Sequence, residues 1–105
     1  MNTLELKPNL AGEWIGYYPG HYDECIRITQ DGEEVEARKI TGDDYVPAGA
    51  ITWRANVRTG TGIGLVAEQE FRHPRFIPGT LKVVNPERIV FRWDSYGEVE
   101  FRKDD

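Results

Sequence analysis

Apolar and polar residues alternate along most of this chain, in short runs separated by turn-forming pairs. From Leu10, one face carries Leu10, Gly12, Trp14, Gly16 and Tyr18, the other Ala11, Glu13, Ile15 and Tyr17. Alternation rich in aromatic residues is strand material. Pro19-Gly20 breaks the run, and Cys25 to Thr29 follows as a second strand with Ile26 and Ile28 on one side. Asp31-Gly32 suits a tight hairpin turn, because that pair tolerates positive φ. Glu34 to Ile40 then sets Val35, Ala37 and Lys39 against Glu36 and Arg38. Ala50 to Val57 sets Ile51, Trp53, Ala55 and Val57 against Thr52, Arg54 and Asn56. Thr59-Gly60-Thr61-Gly62 predicts a flexible turn before a strand from Gly64 to Phe71, which His73-Pro74 ends. Pro78-Gly79 precedes a strand at Leu81 to Val84. Asn85-Pro86-Glu87 turns into Arg88 to Trp93, and Asp94 to Gly97 turns into Glu98 to Arg102.

No run of helical spacing interrupts this order. About eight short strands with regular turns predict an all-β domain, a sandwich or a barrel. Short strands leave edges they cannot protect, and closure removes the edges. The expected fold is a small closed antiparallel β-barrel, lipocalin-like in outline, over residues 10–102, with a lead-in at 1–9 and a tail at 103–105. Leu10 or Trp14, Ile26, Ile28, Val35, Ile51, Trp53, Phe71, Leu81, Val83, Val90 or Phe91, Val99 and Phe101 are expected to fill it. Gly12-Glu13-Trp14 resembles the Gly-x-Trp at the start of lipocalin-type barrels, where the Trp closes one end. Plain core is the other role for this ring.

The 105 residues make a single domain, and 18 acidic against 13 basic residues give a net charge of -5. That balance argues against nucleic acids and anionic membranes as partners. The single Cys25 cannot form an internal disulfide. With no leader-like N-terminus or long apolar run, a cytoplasmic protein is expected.

No catalytic constellation emerges. Gly60-Thr61-Gly62-Ile63-Gly64 lacks the Lys-Ser/Thr and the helix of a phosphate loop. Ser95 is the only serine and no Gly-x-Ser-x-Gly frames it. Cys25 stands near two acids, which disfavour a thiolate. His21 and His73 are far apart, and His21 with Cys25 is short of the three or four ligands a zinc site needs. An enzyme, a metal and a cofactor are therefore not expected.

The stretch Lys39-Ile40-Thr41-Gly42-Asp43-Asp44-Tyr45-Val46-Pro47-Ala48-Gly49 is the most distinctive. Together with Tyr18-Pro19-Gly20-His21 and Glu24, and with Phe71-Arg72-His73-Pro74, Pro78-Gly79 and Leu81, it resembles a known family. That family includes the C-terminal barrel of the F-box substrate receptor that binds D-type cyclins, and the EXECUTER proteins of chloroplasts. The resemblance covers residues 10 to 102. It implies a recognition barrel that holds the C-terminal tail of a client protein at one end, and it points to His21, Glu24, Lys39, Thr41, Asp43 and Pro47. No F-box or transit peptide is seen, so neither ubiquitin transfer nor plastid signalling is inferred from the resemblance.

Two roles are open for Asp43: an Asx-turn within its own loop, or a place at the cavity mouth. The same holds for Arg54 and Arg92, each next to a Trp. An outward Arg is ordinary surface, whereas an inward one grips a carboxylate bidentately. His73 and Arg75 complete the candidate binding set. The expected function is a non-enzymatic binding module. It takes a peptide C-terminus or a small polar-headed ligand at a mouth framed by residues 18–24, 41–47 and 72–78. A lipocalin-like carrier of an apolar molecule and a structural or oligomerising domain are the alternatives.

Overall fold

The structure is a computed structural model that describes residues 8–17 and 24–104. Tyr18, the Pro19-Gly20 turn and His21 lie outside the described residues. Eight antiparallel strands form a closed barrel in chain order: β1 Gly12–Tyr17, β2 Glu24–Asp31, β3 Glu34–Lys39, β4 Ile51–Asn56, β5 Thr61–Glu68, β6 Arg72–Asn85, β7 Arg88–Trp93 and β8 Gly97–Lys103. Closure comes from β1 pairing with β8, Ile15 opposite Arg102 and Gly16 opposite Phe101. In such an up-and-down order, alternate connections share an end. The turns at 31–33, 57–60 and 85–87 therefore sit at one end. The 40–50 loop, the corner at 69–71 and the 94–96 turn sit at the other.

The alternation puts the expected residues inside. Trp14, Ile26, Ile28, Val35, Trp53, Ile89, Phe91 and Phe101 are at most 1% exposed. Trp53 stacks on Phe91 with centroids 4.8 Å apart, and Phe91 meets Trp93 edge-on at 4.9 Å. Room for these rings comes from glycine. A Cβ on Gly64 would lie 2.5 Å from Trp93 Cδ1, and one on Gly79 would lie 2.5 Å from Phe91 Cζ. Trp14 joins the core near the start of β1, where its indole N–H donates to the Leu10 carbonyl at 2.8 Å and Lys103 Nζ lies over its ring at 5.3 Å.

Three expectations are corrected. First, β5 runs from Thr61 to Glu68, not to Phe71. A 3₁₀ turn at Gln69–Phe71 follows, with Glu70 and Phe71 in the left-handed region at φ 62° and 57°. Phe71 is therefore 37% exposed rather than interior. Second, Ile51 is displaced from the core. The β3–β4 register slips between Ala37 and Arg38, so Thr52 is an extra residue and is buried beside Trp53. Ile51 instead joins Leu65, Phe71, Pro74 and Phe76 along an outer groove of about 380 Å³.

Third, His73-Pro74 and Pro78 do not end a strand, because β6 continues through both prolines. Pro78 lies opposite Ile63, and its carbonyl accepts the Asp94 N–H at 3.1 Å on the other side. Its backbone groups thus face away from β5. Pairing with β7 begins only at Gly79. Pro74 lies in an irregular stretch instead, where Arg75 pairs with Val66 but Arg72 with Glu68 and His73 takes a φ of 52°. Pro78 deletes no ladder donor and Pro74 stands at a bulge, both places where a strand tolerates proline.

Candidate functional site

The end opposite Trp14 holds a recess of about 350 Å³ lined by Lys39, Asp43, Tyr45, Val46, Thr52, Leu65, Trp93, Tyr96 and Glu98, among others. Its anchor is Lys39, the last residue of β3. Counting in twos from Val35 puts its side chain on the inner face, where it is 5% exposed. A buried ammonium needs partners, since desolvating it alone costs several kcal/mol. Lys39 Nζ donates to Asp43 Oδ2 at 2.7 Å and to Glu24 Oε1, across the β2–β3 ladder.

The 40–50 loop is built to present Asp43. Asp43 Oδ1 accepts the N–H groups of Tyr45 and Val46, both at 2.7 Å, and its own N–H donates to the Val46 carbonyl at 2.9 Å. That is an Asx-turn. The same carboxylate also lines the recess. Gly42 is required where the loop folds back, since a Cβ there would lie 2.6 Å from the Ala48 nitrogen. Thr41 Oγ1 accepts the Cys25 N–H at 3.0 Å, fastening the loop to β2. The Asp44 carbonyl accepts the Glu70 N–H at 2.7 Å, joining the loop to the 69–71 corner.

The two carboxylates on Lys39 diverge. Burial raises Asp43, but the bonds from Lys39 and from the Val46 and Tyr45 amides outweigh it and hold its carboxyl well below the usual carboxylate range. Burial also raises Glu24, and there it prevails, with the neighbouring Asp43 carboxylate adding to it against the pull of Lys39. Asp43 is thus the stronger acid of the two carboxyl groups on Lys39. Counting Lys39 against Asp43, Glu24 and Glu98, one cation stands among three carboxyl groups.

Of the candidate residues, Glu24, Lys39, Thr41 and Asp43 converge at this end. Pro47 is exposed in the same loop, its carbonyl accepting the Ala50 N–H at 3.3 Å. Arg75 reaches the rim indirectly, Nη2 donating to the Tyr96 hydroxyl at 2.8 Å. His73 is exposed, with Nδ1 3.2 Å from Glu68 Oε1. Arg54 is on the outer wall, paired with Glu36 at 2.9 Å, and Arg92 is exposed as well. The outward alternative holds for both, and the inward cation is Lys39. His21 lies outside the described residues. Trp93 and the 94–97 turn also line this recess, outside the segments 18–24, 41–47 and 72–78 expected to frame it. The alternation of ends in a meander was the signal that brings this turn beside the 40–50 loop.

The chain is 38% identical over 90 residues to chloroplastic EXECUTER 2 of Oryza sativa subsp. japonica, covering 68% of this chain and 14% of the relative. It is 35% identical over 72 residues to chloroplastic EXECUTER 2 of Arabidopsis thaliana, covering 50% and 11%. Chloroplastic EXECUTER 1 of the same plant is 33% identical over 93 residues, covering 70% and 13%. The chain thus spans less than a sixth of the length of these relatives. These chloroplast proteins overturn the expectation of a cytoplasmic protein, which rested on an N-terminus without leader features. Residues 2–101 match the cyclin D1 binding domain, which is a protein-binding type of domain. Through that match over nearly its whole length, this chain belongs to the cyclin D1 binding domain family.

Proposed function

We propose that this chain is a non-enzymatic protein-binding module whose open end receives an extended end of a partner polypeptide. The observation that carries this reading is the recess itself. Apolar walls from Val46, Leu65 and Trp93 surround a few fixed polar groups, the composition of a ligand site rather than of a sealed core. Kinship with a cyclin-binding domain supports a protein ligand, and the chloroplast relatives make plastid proteins the first pool to search.

The charges refine the expected ligand. Lys39 is already paired twice, and a bare C-terminal carboxylate would enter beside Asp43, Glu24 and Glu98. The group reaching the floor is therefore a donor, a backbone N–H or a cationic side chain, for which Asp43 and Glu98 are acceptors. A carrier of apolar cargo is disfavoured by the packed Trp53, Phe91, Phe101 and Trp93 rings in the lumen.

The test is a peptide display screen on the intact chain, with libraries free at either terminus. Enriched peptides are expected to carry a basic residue, and Glu98→Lys or Tyr45→Ala is expected to weaken them about tenfold, near 1.4 kcal/mol, with unfolding unchanged. Absence of enrichment, or enriched peptides indifferent to both substitutions, would count against this reading.

A further inference from the structure

The opposite end of the barrel carries a second feature, independent of the mouth. On the outer wall, the β7–β8 register places Arg88 directly opposite Arg102. Like charges facing one another across a ladder destabilise it. Glu100 relieves only part of this: Arg88 Nε lies 3.2 Å and Arg102 Nε 3.1 Å from the same oxygen, Glu100 Oε2. The terminal nitrogens of both guanidiniums donate to no acceptor among the described residues. Arg102 is steadied from behind by the Tyr17 ring, 5.7 Å away.

Both arginines line a concavity of about 570 Å³ with Lys103, Asn9, Asn85 and Glu87. Three cations stand there against Glu87 and Glu100, a local positive excess on a chain of net charge -5.

We propose that this concavity is a binding site for a phosphoryl group, held between the forks of Arg88 and Arg102. One carboxylate from Glu100 leaves a positive charge and unused N–H donors. A phosphoryl dianion brings three acceptor oxygens, enough for both forks, and planar guanidinium groups match that geometry. Inorganic phosphate and a phosphorylated side chain share this chemistry.

The arginine Nε–Hε resonances of the intact chain, followed by NMR at constant ionic strength, test the site. Inorganic phosphate is one arm, a phosphoserine peptide the second and acetate the third. Saturable shifts are expected at Arg88 and Arg102 and none at Arg54, an outer-wall arginine paired elsewhere. Arg88→Gln or Arg102→Gln is expected to weaken binding at least tenfold, while Glu100→Gln strengthens it severalfold by removing the competing carboxylate. Tighter binding of the phosphoserine peptide identifies a modified protein as the source, and equal or weaker binding identifies free phosphate. The proposal is overturned by linear or absent shifts, by equal shifts at Arg54, by acetate binding as well as phosphate, or by a weaker Glu100→Gln variant. The peptide screen at the mouth reads out the other end of the barrel, so either idea can fail alone.

Discussion

Lys39 and Asp43 stand four residues apart around a loop corner, and the buried ammonium meets the more exposed carboxylate at 2.7 Å. The ammonium comes from the inner face of a strand and the carboxylate from an Asx-turn, so strand and turn fix each other. Removing the carboxylate undoes both. Asp43→Asn is expected to cost about 2 kcal/mol, since it weakens the partner of a buried cation and a doubly bonded turn. Glu24→Gln is expected to cost less than about 1 kcal/mol, because burial already disfavours its charge and Asp43 remains. Urea unfolding at neutral pH separates the two.

The pair also gives stability a pH dependence of opposite signs. Asp43 titrates lower when folded than its ordinary value of 3.8. Its contribution is complete above that value and is lost as pH falls through the folded one. Glu24 titrates higher when folded than its ordinary 4.5. The folded state therefore binds this proton first, and stability from Glu24 rises as pH falls from the folded value to 4.5. Unfolding midpoints measured down the pH scale are expected to lose this rise in Glu24→Gln. The steep acid limb below it is expected to flatten in Asp43→Asn.

Ring packing makes two glycines irreplaceable. Gly64→Ala and Gly79→Ala each drive a methyl group into Trp93 or Phe91, and each is expected to destabilise by about 1–3 kcal/mol. Thermal unfolding with the near-ultraviolet signal of the tryptophans measures the loss.

Near the start of β1, Trp14→Phe keeps an aromatic ring, though a smaller one, and removes the donor to the Leu10 carbonyl. A buried carbonyl left without a partner costs about 1–3 kcal/mol. Chemical unfolding of the variant checks this, and a loss under 0.5 kcal/mol would mean that the indole contributes by its shape alone.

Arg54 is the control. It is an exposed member of a surface ion pair with Glu36, so Arg54→Gln is expected to change stability by less than about 0.5 kcal/mol. Peptides selected at the mouth are expected to bind it unchanged. A tenfold loss of binding in this variant would move the site away from the recess.

Local alternation determined much of this protein. Period two, punctuated by Asp31-Gly32, Asn85-Pro86 and the 94–97 turn, specifies eight antiparallel strands and puts Trp14, Trp53, Phe91 and Phe101 inside. It even set Lys39 on the inner face with Val35 and Ala37, because which side a residue faces is a property of a few neighbours. The Asp43 turn was legible for the same reason, its carboxylate bonding Lys39, Tyr45 and Val46, all within four residues. Closure decided the rest. The extra residue at Thr52 reversed Ile51, the irregular β5–β6 register took in Pro74 while Pro78 faced away from β5, and the register across β2 and β3 brought Glu24 to Lys39. Those outcomes depend on how distant strands align around the cylinder, a geometric condition that no short stretch of chain contains.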